Sequence, residues 1–476
     1  MEQRPPANAD AEHSRPKQTE PKKAAKIQSV KGTSDILPDE QRLWHEVVAA
    51  AAAVLGNAGA GELTTPIFEH AELFERSVGE SSDLVVQKEM YTFEDRGGRL
   101  LALRPEFTAG VMRAFIEHGM HTRPTPVKLW SWGPAFRAEN VQRGRYRQFH
   151  QIDYEMVGID SPLADAETVQ LMYQTLSACG LKGHVMKLGS VGDLQDRANY
   201  NVYLRERLTP VANELSEVSR ERLRLNPMRV LDSKDEGDQA LIAGLDRPLD
   251  RLGASARDHF DTVCRFLEDW GVPFELDRGI VRGLDYYRRT AFEAHYAGIG
   301  AQSALGGGGR YDGLIAEIGG PDLPAIGWAF GLERVIDALK QERGAAEPAT
   351  GEGRSALFLV PVDDDAVAEV AALAGRLRAH GRVQYAYQKR APGKGLREAD
   401  KAGAAFAVLR GKSERDDGVW QVKDLASGTQ RSVSESELVA ILSSPEGASG
   451  GANGGATAGV GGADNGTARP GDRGPL

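Results

Sequence analysis

A chain of 476 residues with 41% hydrophobic and 26% charged residues is long enough for two or three domains and a sizeable core. Its formal net charge of −10 fits a soluble acidic enzyme, so any contact with nucleic acid has to come from local basic patches. No apolar run reaches the roughly 18 residues that span a bilayer, the first residues carry no apolar signal core, and two distant cysteines, Cys179 and Cys264, exclude a Cys-based zinc cluster and a disulfide framework, which fits a reducing cytoplasm.

In chain order, residues 1–27 are polar, Pro-containing and mildly basic, and read as a disordered tail. A folded block is expected over 28–342. It opens with a helix, because Leu43, Trp44, Val47, Val48, Ala51, Val54 and Leu55 recur at helical spacing. In LALRPEFTAG (101–110), Glu106 and Thr108 follow an apolar stretch. They read either as a helix N-terminus after Pro105 or as a carboxylate and hydroxyl placed for an ammonium group. LWSWGPAFRAENVQRGRYRQFHQIDYEMVG (129–158) reads as a long antiparallel hairpin around an Arg- and Gly-containing turn. Strand alternation puts Ile152, Tyr154 and Met156 on one face and Gln151, Asp153 and Glu155 on the other. Arg137 and Glu139 share a parity on the first strand.

Residues of about 190–272 are charged and helical in period, and read as a helical insertion between strand-like flanks. Arg282, Tyr286 and Tyr287 then precede a β-prone run. The glycines of GGGGRYDGLI (306–315) allow close backbone approach and unusual dihedrals. They match neither a Walker A nor a dinucleotide pattern. In AIGWAFGLERVIDAL (325–339) a strand runs through Gly331 into a helix, with Arg334 in its first turn. A cation there opposes the helix dipole and asks for an anionic partner such as a triphosphate. A linker is expected over 343–354, an alternating strand and helix block over 355–443, and a flexible Gly/Ala-rich tail over 444–476.

Together these segments resemble the class II histidyl-tRNA synthetases over about 28–443. VKGTSDILPDE is similar to the family's N-terminal signature, and TTPIFE (64–69) to motif 1. FRAENVQRGRYRQFHQIDYE resembles motif 2, GWAFGLERV motif 3, and RGLDYY (282–287) and GGRYDGL (308–314) the two histidine-specific stretches. The resemblance implies an α+β fold: the class II antiparallel sheet flanked by helices, a helical insertion, and a C-terminal α/β anticodon-binding domain. It implies activation of L-histidine with ATP and Mg2+, then transfer to tRNA(His), in the cytoplasm, with no membrane partner and no metal site fixed by protein ligands. A homodimer is implied, with Pro66 at its interface.

By the same resemblance, Glu106 and Thr108 hold the α-ammonium of histidine. Gln151 contacts its backbone, Glu155 and Tyr287 read its imidazole with Tyr286 beside them, and Tyr311 helps wall the pocket. Arg137 and Arg282 face the α-phosphate as catalytic residues, Arg334 the remaining phosphates, and Glu139 the adenine. Arg143, Arg145 and Arg147 face the acceptor end of the tRNA. The sequence departs from the family pattern at Phe107, where Gly is common and which lies between two expected ligands, and at Gly395, where Gln is common. The alternative is a non-catalytic relative that senses histidine as a regulatory subunit of ATP phosphoribosyltransferase. Such relatives lack the C-terminal domain and have eroded motifs, whereas here FRAE, RGLDYY and GLER are intact.

Overall fold

The computed structural model describes residues 26–78, 89–142, 144–280, 286–300, 303–343 and 356–443. They fall into two compact units, one within residues 1–344 and one within 345–476. Arg143 and Arg282 lie outside the described residues.

The first unit is built on an eight-stranded sheet of order β1-β5-β6-β11-β10-β9-β7-β8. Its centre is the expected hairpin: β5 (Val127–Phe136) and β6 (Gln148–Val157) pair antiparallel over ten residues, from Val127↔Val157 to Phe136↔Gln148. β11 (Ala325–Gly331) pairs with the other edge of β6, and β10 (Ala304–Arg310) links β11 to β9 (Arg288–Tyr296). Short β1 (Gly61–Glu62) and β8 (Phe274–Leu276) are the edges, and β7 (His184–Ser190) lies between β8 and β9.

One face of this sheet carries the main core. α1 (Pro38–Asn57) buries Trp44, Val47, Ala51 and Leu55, the stripe its helical spacing predicts. Pro38 supplies a first-turn residue with no amide to satisfy. That stripe packs with Ile152, Tyr154, Met156, Trp328 and Phe330 from the strands. The opposite face carries a second core around Phe107, Met112, Phe115, Tyr286, Tyr287 and Tyr311. A small sheet of order β2-β4-β3, formed by Phe68–His70, Leu100–Leu103 and Thr92–Glu94, precedes it and was not anticipated. Its strands of three or four residues are too short to show alternation.

The helical stretch after β7 serves both cores. The helices Leu194–Leu208, Glu217–Leu225 and Glu236–Ile242 bury Tyr200, Leu204, Leu208, Leu223 and Ile242 in the second core. The last helix, Ala254–Asp269, instead buries Phe260, Val263 and Leu267 in the main core. Charge and helical period do not distinguish the two packings.

The glycine run forms strand β10. None of Gly306 to Gly309 has positive φ, so the unusual dihedrals expected there are not used. The close approach is used. A Cβ on Gly308 would lie 2.0 Å from the Gly327 carbonyl oxygen, and one on Gly306 2.2 Å from that of Ala329.

In the second unit, β13 (Val383–Tyr385), β12 (Leu357–Pro361) and β14 (Phe406–Arg410) are parallel, and β15 (Trp420–Asp424) and β16 (Gln430–Val433) continue the sheet antiparallel. The sequence alone missed β16 and the short helix Lys412–Asp416. Gly395 is buried in the helix Pro392–Lys401, and a Cβ there would lie 2.3 Å from Val360 Cγ1. The departure at Gly395 therefore lets a helix lie close on its own sheet.

Among the described residues no helix is long and apolar enough to cross a membrane. Gly308→Ala should destabilise the first unit by about 2–3 kcal/mol through forced strand separation, read from the denaturant midpoint. An unchanged midpoint would show that β10 and β11 can part freely.

Candidate active site

A cavity of about 1210 Å3 opens on the sheet face that bears Gln151 and Asp153. Its two ends have opposite character.

At the acidic end, Glu106 sits just before the helix Thr108–Glu117. The helix-start reading of this residue is borne out. Its Oε1 accepts the Ala109 amide at 3.0 Å, closing the helix start, while its buried Oε2 has no hydrogen-bond partner among the described residues. Strand β6 adds Gln151, Asp153 and Glu155 from one face, as alternation requires. Gln151 Oε1, Asp153 Oδ2 and Glu155 Oε1 are also buried without a partner among the described residues. Four acceptors thus converge and lack donors, an arrangement that is costly until a ligand rich in N–H groups and positive charge arrives.

The electrostatics agree. Burial raises the Glu106 carboxyl above the usual range, against opposing hydrogen bonds from Ala109 and Thr108. Burial also pushes Glu155 up to about 8, although the Thr108 and Tyr311 hydroxyls favour its ionised form. Asp153 is raised by burial and then by Glu155 and Glu106. The Tyr311 phenol donates to Glu155 Oε2. Gly327 stands opposite Glu155 in the β6–β11 pairing, and a Cβ there would lie 1.8 Å from Glu155 Oε2, so glycine makes room for the carboxylate. Tyr286 lies between Tyr287 and Tyr311, with ring centroids 4.8 and 5.6 Å away, and the three form an aromatic wall.

Phe107 is almost fully buried and lines the cavity. The Arg104 guanidinium stacks on its ring at 3.9 Å and donates to the Pro134 carbonyl at 2.8 Å and the Thr65 carbonyl at 3.0 Å. Burial lowers Arg104 to about 10, and Asp153 and Glu106 offset part of that. Arg104 was not singled out in the sequence. Its only signal was a charged residue after four apolar ones in LLALR.

At the basic end stand Arg137, Arg145 and Arg334. Arg137 Nε donates to the Pro105 carbonyl at 3.0 Å, and Arg145 pairs with Glu139 at 3.2 Å. Arg334 falls in the first turn of the helix Leu332–Arg343, where its placement opposes the dipole. Its Nε donates to the Gly144 carbonyl at 3.0 Å and its Nη1 to that of Ala304. Its pKa is lowered by burial and by the like charges of Arg145 and Arg137, while Glu139 and Glu293 oppose the shift. Guanidiniums packed this closely favour an anion between them.

Of the residues expected from sequence, Glu106, Phe107, Thr108, Arg137, Glu139, Arg145, Gln151, Tyr286, Tyr287, Tyr311 and Arg334 line this cavity. Glu155 is buried behind Tyr311. Arg147 is not among the lining residues. Its amide donates to the Gly32 carbonyl at 2.8 Å, and a Cβ on Gly32 would lie 2.9 Å from its Cγ.

Comparison with known proteins gives a consistent result. A family model described as histidyl-tRNA synthetase matches residues 32–335, and one described as an anticodon binding domain matches residues 356–444. A histidine–tRNA ligase of Thermus thermophilus is 53% identical over 416 residues, covering 87% of this chain and 98% of its own length. The Deinococcus radiodurans ligase is 48% identical with the same coverage of 87% and 98%. The structure of apo Staphylococcus aureus histidyl-tRNA synthetase aligns with a TM-score of 0.74 at 32% identity, covering 88% of this chain and 100% of its own. A Bacillus halodurans protein described as an ATP phosphoribosyltransferase regulatory subunit/histidyl-tRNA synthetase shares the fold, with a TM-score of 0.59 at 21% identity over 81% of this chain and 99% of its own.

The raised Glu155 has a consequence for stability. Its folded pKa stands above the unfolded value, so its burial costs little below about pH 4.5 and destabilises the fold increasingly as pH rises towards 8. Glu155→Gln should therefore stabilise the protein more at pH 8 than at pH 5, by about 2–4 kcal/mol in denaturant titrations. A pH-independent difference would mean that Glu155 is ionised throughout.

Proposed function

The chain belongs to the histidyl-tRNA synthetase family, and we propose how its cavity carries out that family's reaction, the ATP-driven joining of L-histidine to tRNA(His). The observation that carries the proposal is the division of one cavity into an end of unpartnered buried acceptors and an end of crowded guanidiniums. Histidine offers an ammonium and an imidazole N–H to the first and a carboxylate towards the second. The triphosphate of ATP belongs at the second.

In this reading Glu106 and Thr108 take the ammonium, and Gln151 contacts the amino-acid backbone. Glu155, oriented by Tyr311, reads the imidazole together with Tyr287. Asp153 adds negative charge beneath the ammonium, offset in part by Arg104. Glu139 takes the adenine. A histidine carboxylate oxygen attacks the α-phosphorus. The bond from that phosphorus to the bridging oxygen breaks, and pyrophosphate leaves. Arg137 stabilises the charge growing at the α-phosphate, and Arg334 the charge on the leaving group. The family resemblance adds Arg282 at the α-phosphate. A hydroxyl of the 3′-terminal ribose of the tRNA then attacks the adenylate carbonyl carbon, and AMP leaves. Positioning and charge stabilisation do the work, since no protein group forms a covalent bond.

Magnesium would accompany the nucleotide on its phosphates, since no cluster of three or more His, Cys, Asp or Glu side chains among the described residues could hold a metal ion by itself. Arg145, which lines the cavity, supports an acceptor-end role shared with Arg143 and Arg147. Residues 356–443 take the anticodon. Pro66 is exposed beside Ile67 and Phe68, which are 44% and 53% exposed, and this apolar segment supports a homodimer formed through motif 1. The histidine-sensing alternative is not favoured, because the close relatives are ligases and the anticodon domain is present.

Histidine should drive exchange between pyrophosphate and ATP, and the other nineteen amino acids should do so roughly 10⁴-fold less well, because a wrong side chain leaves the buried carboxylates unpaired. Absence of histidine-dependent exchange with magnesium present would overturn the reading. Arg282→Ala should cut exchange by about 10²-fold or more while calorimetry still detects histidine binding. Near-wild-type exchange would remove Arg282 from the α-phosphate.

A further inference from the structure

Three residues at the basic end have no part in the steps above. Glu293 and His295 project from the same face of β9, and Ser303 lies just before β10. All three line the cavity. His295 Nε2 is 2.8 Å from Glu293 Oε2, and His295 Nδ1 is 2.9 Å from Ser303 Oγ. The His295 and Glu293 side chains are only 19% and 24% exposed. A single imidazole tautomer satisfies both contacts: the Nε2 proton is donated to Glu293, and the bare Nδ1 accepts from the Ser303 hydroxyl.

Both ends of this chain lead to Arg334. Glu293 is one of the two carboxylates whose charge favours the Arg334 guanidinium. Ser303 precedes Ala304, whose carbonyl accepts from Arg334 Nη1 and whose Cα partner across the sheet is His295. Just there the β9–β10 register shifts, between Ala304 and Gly306. An irregularity of this kind re-aims the backbone and has to be held in place by its own contacts. A carboxylate beside a triphosphate is also repulsive unless its direction is fixed.

We propose that His295 is a positioning residue for the nucleotide: it fixes the Glu293 carboxylate against Arg334 and, through Ser303, the shifted segment whose carbonyl holds the Arg334 guanidinium. The proposal rests on the assignment of ATP to the basic end. It predicts a selective defect, because the side-chain hydrogen bonds of His295 among the described residues run to Glu293 and Ser303.

The test is steady-state pyrophosphate exchange with the full chain, varying ATP and histidine separately. His295→Ala should raise KM for ATP about tenfold, the scale expected for losing a hydrogen bond to a charged group, and leave KM for histidine unchanged. The unchanged histidine KM also reports an intact fold. His295→Gln, which can return an N–H donor to Glu293, should recover most of the ATP affinity. His295→Asn, which reaches only as far as Ser303, should not. Arg334→Ala is the control for the underlying assignment. If it leaves KM for ATP unchanged, the basic end is not the nucleotide site. If it raises that KM while His295→Ala does not, the nucleotide assignment stands and the role of His295 is overturned. Equal rises in both KM values for His295→Ala, or no recovery with His295→Gln, would reduce His295 to a structural residue and also overturn it.

Discussion

Glu106, Asp153 and Glu155 are almost completely buried on the same side of one sheet, and the cost of keeping three carboxylates there governs the surrounding structure. Unpaired charge in such a place is expensive, and the protein lowers the cost in several ways at once. The pKa values of all three are raised, which lets protons neutralise part of the charge. Arg104 brings a buried counter-charge, held in place by Phe107 and two backbone carbonyls. Tyr311 donates to one oxygen of Glu155. The acceptors that remain unpartnered among the described residues are ones that a cationic ligand rich in N–H groups would satisfy.

That arrangement depends on Tyr311, which is set by its neighbours in sequence. Arg310 and Asp165 are both fully buried, and Arg310 Nε donates to Asp165 Oδ1 at 3.1 Å. His259 at 2.8 Å and the Thr290 hydroxyl at 2.6 Å complete the Asp165 shell. Burial alone would raise the Asp165 carboxyl, but His259 and Arg310 hold it below its usual range. On the other side, Asp312 accepts from Arg310 and from the Ala325 amide, each at 3.0 Å. Tyr311 is thus flanked by a buried ion pair before it and a bonded carboxylate after it, both of which restrain the backbone that carries its phenol to Glu155. The glycines before it let β10 lie against β11 without side chains in the way.

The basic end follows a different logic. Its guanidiniums repel one another, and each is tied to a backbone carbonyl or a glutamate. Such anchors hold direction while leaving charge available to a ligand, which is what stabilising a developing phosphate charge requires.

Much of this was legible in the sequence, for stated reasons. A period of two in β6 put Gln151, Asp153 and Glu155 on one face, and a period near 3.6 put Trp44, Val47, Ala51 and Leu55 on one side of the first helix, because side-chain direction in regular structure follows from backbone geometry. The misplaced charge of Arg334 was equally visible. The roles proposed for these residues come from the family motifs. Other features needed the fold. The proximity of Glu106 to Glu155, the stacking of Arg104 on Phe107, the chain from His295 through Glu293 to Arg334, and the division of the charged helices between two cores all join residues distant in sequence or identical in local pattern. Gly395 shows the boundary most simply: the sequence presents only a missing side chain, and the strand residue that forbids one, Val360, is brought there by packing. Local periodicity determined which way each side chain points, and only the tertiary structure decided what it meets, because that depends on which distant segments the sheet brings together.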